Sequence, residues 1–226
     1  MSSRALVAEF VGTLVLVFVG VGSVVFGIGL TGSLGVALAF GLVLVALVYA
    51  IGPVSGSHVN PAVTMGMVLS RRIAPPQAIG YWIAQFTGGI AAAALLFWLA
   101  NLGPNLATHG TFGSNGFGSR SVLGLNLGGA FLIEILLTGI FVFVVLSATA
   151  TWAIPSSAGI AVGFALAAVH LVGLPMDGAG INPARSLGPA IFARGVGLSQ
   201  VWLFIVAPLV GGALAAVVHR FASAQE

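Results

Sequence analysis

The sequence has no cysteine and no lysine, and charge of either sign is scarce: four acids and seven bases make up 5% of 226 residues. Without cysteine there are no disulfides and no thiolate metal ligands. The four histidines (His58, His109, His170, His219) share no helix face at ligand spacing, so no metal or cofactor is expected. So few charges exclude a soluble domain of this length, which could not cover its own surface. The balance is basic, with a net charge of +3 and a sequence pI near 10.7. Yet all the bases are arginines, scattered among loops and ends with no stripe, which argues against nucleic acid as a partner. No nucleophile is paired with a base, so the chain does not read as an enzyme.

Apolar sequence fills the space that charge leaves: 59% of residues are hydrophobic and the mean hydropathy is +1.17. The runs Leu6–Phe26, Leu34–Ile51, Ala78–Ala100, Leu127–Ala148, Ala158–Leu174 and Val201–Val218 approach or exceed the roughly 20 residues of a spanning helix. Continuous runs of this kind, rather than alternating segments of about ten, exclude an outer-membrane barrel. The first run carries Glu9 and is too long for a secretory signal, so it counts as a span. With six spans, Arg4, Arg71, Arg72 and Arg220 share one side and Arg120 and Arg194 the other, which assigns both termini to the cytoplasm.

The chain is written twice. Residues 8–13 (AEFVGT) align with 133–138 (IEILLT), placing Glu9 against Glu134; 35–49 align with 159–173, and 84–97 with 207–220. Asn60-Pro61-Ala62 aligns with Asn182-Pro183-Ala184. The offsets lie between 122 and 125, giving repeats over about 5–100 and 127–222, a connecting loop at 101–126 and one domain over 1–226. Each repeat holds three spans, an odd number, so the second copy enters the membrane from the opposite face. Asn is a favoured N-cap and Pro suits the first helical turn, so each Asn-Pro-Ala starts a helix, over roughly 60–69 and 182–192. Helices that short cannot cross and are expected to meet near the midplane. Their approaches, Val54–Val59 and Pro175–Ile181, are expected to be non-helical, which membrane depth tolerates only beside a water-filled cavity. The expected fold is therefore an all-α integral membrane protein with six transmembrane helices and two re-entrant half-helices in an inverted repeat.

Paired Asn-Pro-Ala boxes, the second continuing as NPARSLGPA, with AEFVGT near the start and SGSHVNPAVT after the second span, resemble the aquaporins, and among them the bacterial water-selective members. The resemblance runs from Ala8 to about Arg220. It implies a passive water channel in a homotetramer with one pore per subunit, embedded in a lipid bilayer; short ends and the lack of lysine fit a prokaryotic inner membrane. It also implies an aromatic/arginine filter at Phe40, His170, Ala179 and Arg185. Glycerol-conducting members open this site with Trp and Gly and carry Asp after the arginine, where this chain has Ser186. Two departures keep glycerol and other small neutral solutes as the alternative cargo. Ala179 replaces the Thr or Cys common in water channels, which widens the constriction, and Ile205 stands where many members have Trp.

The residues themselves suggest how such a pore works. Backbone at Gly56, Ser57, His58 and Val59, and at Gly178, Gly180 and Ile181, can offer a ladder of carbonyl acceptors. The amides of Asn60 and Asn182 can donate to a passing water, and His58 faces the same path. Each half-helix N-terminus carries about half a positive charge. At an effective dielectric of about 20, a cation about 5 Å from both meets roughly 3 kcal/mol of repulsion. Arg185 adds a full charge at membrane depth, where an ionised group marks function. Glu9 and Glu134 need buried partners, and the N–H groups of the re-entrant loops are expected to supply them. A coupled transporter would need titratable groups along the path; only these two acids, His58 and His170 are candidates, and the acids have this structural explanation. His109 and His219 are expected to be solvated, and Asp177 either to approach Arg185 or Arg194 or simply to belong to a loop.

Overall fold

The computed structural model describes residues 2–103 and 111–223, and among these every regular element is helical. His109 lies outside the described residues. Helix α1 (Ser3–Gly22) passes through a π-turn (Ser23–Gly27) into α2 (Ile28–Ser55). As one rod these 53 residues would rise about 80 Å, far more than a hydrocarbon core of about 30 Å. Gly32, at φ 61° and ψ −170°, breaks the rod into two spans, in a region of backbone space that a side chain resists.

The remaining helices are α3 (Pro61–Leu69), α4 (Pro75–Ala100), α5 (Leu127–Ala148), α6 (Ala158–Asp177), α7 (Pro183–Ala193), the short α8 (Gly195–Gln200) and α9 (Leu203–Ala222). Helices α1, α2, α4, α5, α6 and α9 lie in the segments long and apolar enough to span. Helices α3 and α7, of 9 and 11 residues, cannot cross. Laid end to end they rise about 30 Å, one hydrocarbon thickness.

Six spans and two half-helices are thus present, but two boundaries differ from expectation. Helix α2 continues past Pro53 to Ser55, and α6 past Pro175 to Asp177, so the non-helical approaches are shorter than 54–59 and 175–181. A proline removes one N–H and crowds the carbonyl four residues back, but leaves the later N–H groups able to bond. Beyond each one the chain recloses: the N–H of Gly56 donates to Gly52 O at 2.9 Å and that of Gly178 to Leu174 O at 3.2 Å. Both glycines are left-handed caps, at φ 87° and 90°.

Close helix crossings fix the register between the halves. A Cβ on Gly41 of α2 would lie 2.7 Å from Gly163 O, and one on Gly163 of α6 would lie 2.6 Å from Gly41 O. That pair, with Pro53 and Pro175 and the two capping glycines, relates α2 to α6 by 122 residues rather than the 124 of the 35–49 and 159–173 alignment. The half-helices dock across the repeat boundary. Gly89 of α4 faces the Ala184 carbonyl of α7, and Gly212 of α9 faces the Ala62 carbonyl of α3.

Polarity is arranged inside out. Leu132, Leu136 and Ile140 form a stripe on α5 that is half exposed or more, whereas Glu9, Glu134, Asn60, Asn182, Arg185, His58, His170 and Gln85 are buried. His219, expected to be solvated, is buried too: its ring meets Phe143 edge-on at 5.9 Å between centroids.

Candidate functional site

Gly56–Asn60 and Gly178–Asn182 link the spans to the half-helices. Their backbone alternates in hand: φ is positive at Gly56, Ser57 and Val59, and again at Gly178, Ala179 and Ile181. A left-handed conformation at β-branched Val59 (φ 44°) and Ile181 (φ 56°) is strained and needs outside support. Alternation of this kind turns successive N–H groups to one side, forming a nest for an anion. A glutamate fills each nest. The N–H groups of His58 and Val59 donate to the Glu9 carboxylate at 2.9 and 2.7 Å, and those of Gly180 and Ile181 to Glu134 at 2.5 and 2.7 Å. With the N–H groups turned to the glutamates, the carbonyls between them turn to the opposite side, where a cavity lies.

The two nests are not equally furnished. Glu9 also accepts from Ser55 Oγ at 2.7 Å and Gln85 Nε2 at 2.8 Å. On the Glu134 side, a Cβ at Gly180 would lie 2.8 Å from Oε1, so glycine is the residue that fits. The equivalent His58 instead turns its ring to Thr64 (Nδ1 to Oγ1 3.1 Å) and meets Tyr81 edge-on.

Each asparagine caps one helix and bonds across to the other loop. Asn60 Oδ1 accepts from the Ala62 N–H at 2.8 Å, and Asn182 Oδ1 from those of Ala184 at 3.0 Å and Arg185 at 3.3 Å. Asn60 Nδ2 donates to Ile181 O at 3.2 Å, and Asn182 Nδ2 to Val59 O at 2.8 Å. An amide nitrogen carries two hydrogens. One on each side remains for whatever occupies the cavity, which both residues line. Pro61 and Pro183 hold the first turn of each half-helix, with Ala62 and Ala184 seated on the glycines described above.

Further out, three side chains converge. The Phe40 and His170 rings stack at 4.2 Å, and the Arg185 guanidinium carbon lies 5.4 Å from the Phe40 centroid. His170 Nδ1 donates to Leu166 O at 2.9 Å, which makes Nε2 of the neutral ring an acceptor. Arg185 is 1% exposed; Nη1 donates to Gly113 O at 2.8 Å and Asn115 Oδ1 at 3.2 Å, and Nη2 to Gly178 O at 3.3 Å. Arg185 Nε and His170 Nε2 are buried and have no partner among the described residues. One donor and one acceptor are therefore left for whatever occupies the cavity they line.

Asn115 is the functional residue that sequence reasoning missed. Its Oδ1 also accepts from Ser186 Oγ at 2.9 Å, so one loop amide anchors two neighbours on α7. The loop is itself latched down: Gly116 N–H donates to Asp177 O at 3.0 Å, Ser121 Oγ to Met176 O, and Gln200 pairs with the Phe117 backbone. Arg120, whose ionisation burial pulls below the usual arginine value, clamps Ser114 through Nη2 at 2.7 Å to Oγ.

Twelve residues of the two halves line one cavity. Phe40, His170, Arg185, Gly180, Asn182, Asn60, Val59 and His58 supply its polar and aromatic wall, and Leu16, Leu44, Phe141 and Leu166 an apolar one. Ala179 stands behind this lining, with its Cβ toward Gly173. Asp177 is not in a loop: it ends α6, buried, and accepts from the Ala179 N–H at 3.0 Å. Among the described residues no cluster of three or more potential metal ligands occurs. What the cavity can do is exchange hydrogen bonds with a small neutral molecule while facing it with helix N-termini and one fixed cation.

The profile of the family described as major intrinsic protein matches residues 1–219. Aquaporin Z of Brucella melitensis biotype 1 is 45% identical over 217 residues, covering 94% of this chain and 95% of the relative. Aquaporin Z of Rhodopseudomonas palustris is 43% identical, with 99% and 95% covered. Among solved structures, the aquaglyceroporin from Plasmodium falciparum superposes with a TM-score of 0.81 over 95% of this chain and 93% of that one; at 23% identity this likeness speaks to the fold alone.

Proposed function

The chain belongs to the major intrinsic protein family, and from that premise we propose the working parts of a passive, osmotically driven water channel. It is a multi-pass membrane transporter and catalyses no reaction. The observation that carries the reading is the crossing at the centre. Two half-helices aim their N-termini at one point, and the asparagines that cap them bond to each other's loops, each with one amide hydrogen left over.

A water reaching Asn60-Pro61-Ala62 and Asn182-Pro183-Ala184 accepts from both amides. Its own hydrogens then point to carbonyls above and below, which breaks the donor–acceptor alignment a proton chain needs. The carbonyl ladder of Gly56, Ser57, His58 and Val59, and of Gly178, Gly180 and Ile181, replaces bulk hydrogen bonds on either side. Phe40, His170 and Arg185, with Ala179 behind them, form the filter: Arg185 Nε donates, His170 Nε2 accepts and the rings set the width. Opposed helix dipoles and Arg185 repel protons and cations. Glu9 and Glu134 hold the strained loops and take no part in transport. One channel domain spans 1–226, from repeats 5–100 and 127–222, in a homotetramer of the inner membrane with cytoplasmic termini.

Stopped-flow swelling of reconstituted vesicles tests the cargo. Fast osmotic water flow with negligible glycerol uptake and no pH equilibration is the expected result. Glycerol flux comparable to water flux would overturn it in favour of a small-solute channel.

A further inference from the structure

We infer that Gly20 of α1 sets the width of the outer constriction, by leaving the space into which the Phe40 ring retracts. The proposal rests on the water-channel reading but names a determinant outside the cavity lining.

A Cβ built on Gly20 would fall on three atoms of the Phe40 ring, Cδ1, Cε1 and Cζ. No other neighbour of that Cβ is as near. The ring is 1% exposed and held on its other faces by His170, stacked at 4.2 Å, and by Arg185, with Cζ 5.4 Å from the centroid. Phe40 is thus clamped between a residue with no side chain and the two polar members of the constriction. A methyl at position 20 takes the volume the ring occupies. The ring then moves away from α1, towards His170 and Arg185, or leaves its rotamer.

The inverted repeat supplies an internal comparison. Shifts of 125 residues for α1 and α5, and 122 for α2 and α6, carry Gly20 to Val145 and Phe40 to Val162. The shift of 122 carries His170 back to Val48 and Arg185 back to Val63. At the opposite mouth the four positions are all valine. An aromatic ring and a missing side chain therefore occur together at one end of the pore and are absent together at the other, as expected if the glycine accommodates the ring.

The test is a double-mutant cycle of Gly20→Ala and Phe40→Ala, reading osmotic water permeability and the glycerol-to-water ratio in vesicles, beside a structure of Gly20→Ala. Gly20→Ala alone is expected to lower water permeability about tenfold, equivalent to about 1.4 kcal/mol on the barrier. Its Phe40 ring is expected to be displaced by about 1 Å or more. In the Phe40→Ala background the same Gly20→Ala change should alter both readouts by less than about twofold. Flux within about twofold of the unsubstituted protein in Gly20→Ala, an unmoved ring, or a comparable loss of flux or of folded protein when Gly20→Ala is added to Phe40→Ala would each overturn the proposal. Failure of the unsubstituted protein to conduct water would sink the functional reading instead. The ring position would still decide the role of Gly20.

Discussion

At the residue scale the glutamates carry the most structural weight. Two N–H groups of one strained loop meet the two oxygens of Glu134. In Glu134→Gln one oxygen becomes an NH2 that faces an N–H, leaving a buried donor unsatisfied, at about 2 kcal/mol. The melting temperature in detergent should fall by about 4–8 °C. Glu9→Gln should cost a similar amount: the Gln85 amide can flip to accept from the new NH2, but the loop N–H facing it still loses its acceptor. An unchanged melting temperature in either variant would contradict this account. Asn115 offers a second prediction. Asn115→Asp places a carboxylate on Arg185 and should neutralise its field while keeping the hydrogen bond. Proton leak should rise by about tenfold, equivalent to about 1.4 kcal/mol off the barrier, while water flux changes little. Both glutamates were legible in the sequence because they recur at matched positions inside apolar runs. Asn115 was not, because its partners lie 70 and 71 residues away, and nothing local marks a loop amide that meets them only after folding.

At the element scale the half-helices depend on their seats. A Cβ at Gly89 would lie 2.5 Å from Ala184 O and 3.1 Å from its carbon, and one at Gly212 3.1 Å from the Ala62 carbonyl carbon. These are backbone atoms, so no rotamer change relieves the clash. Gly89→Val or Gly212→Val should abolish water flux and sharply reduce the yield of folded protein, as read by size-exclusion chromatography. The starts of both half-helices were legible, because an Asn cap and a Pro at the first turn are local signals. The register of α2 against α6 was less so. An apolar helix interior contains many near-equivalent residues, and sliding it by two leaves the hydrophobic match almost intact; only the Gly41–Gly163 crossing and the capped ends settle it. The burial of His219 was likewise hidden, since a histidine one residue before Arg220 near the C-terminus reads as surface until Phe143 is packed beside it.

At the scale of the whole molecule, the proposed selectivity against charge draws on the meeting of two halves rather than on any one group. Asn182→Asp tests this: aspartate caps a helix as well as asparagine does, although the bond from Nδ2 to Val59 O is given up. A negative charge about 5 Å from a passing cation, at a dielectric of about 20, contributes roughly −3 kcal/mol and cancels the repulsion of both dipoles. Cation conductance should appear in a protein that still folds; continued exclusion would show that Arg185 alone forms the barrier. The crossed seating also bears on how the chain is made. Helix α3 rests on α9, and α7 rests on α4. As the polypeptide leaves the ribosome, α7 finds its seat on α4 waiting, whereas α3 has only its lesser contacts with α4 and α5 until the last span has been synthesised. The early half-helix thus gains its main packing surface late in biogenesis, and removal of the final span should loosen the pore segment of the first half.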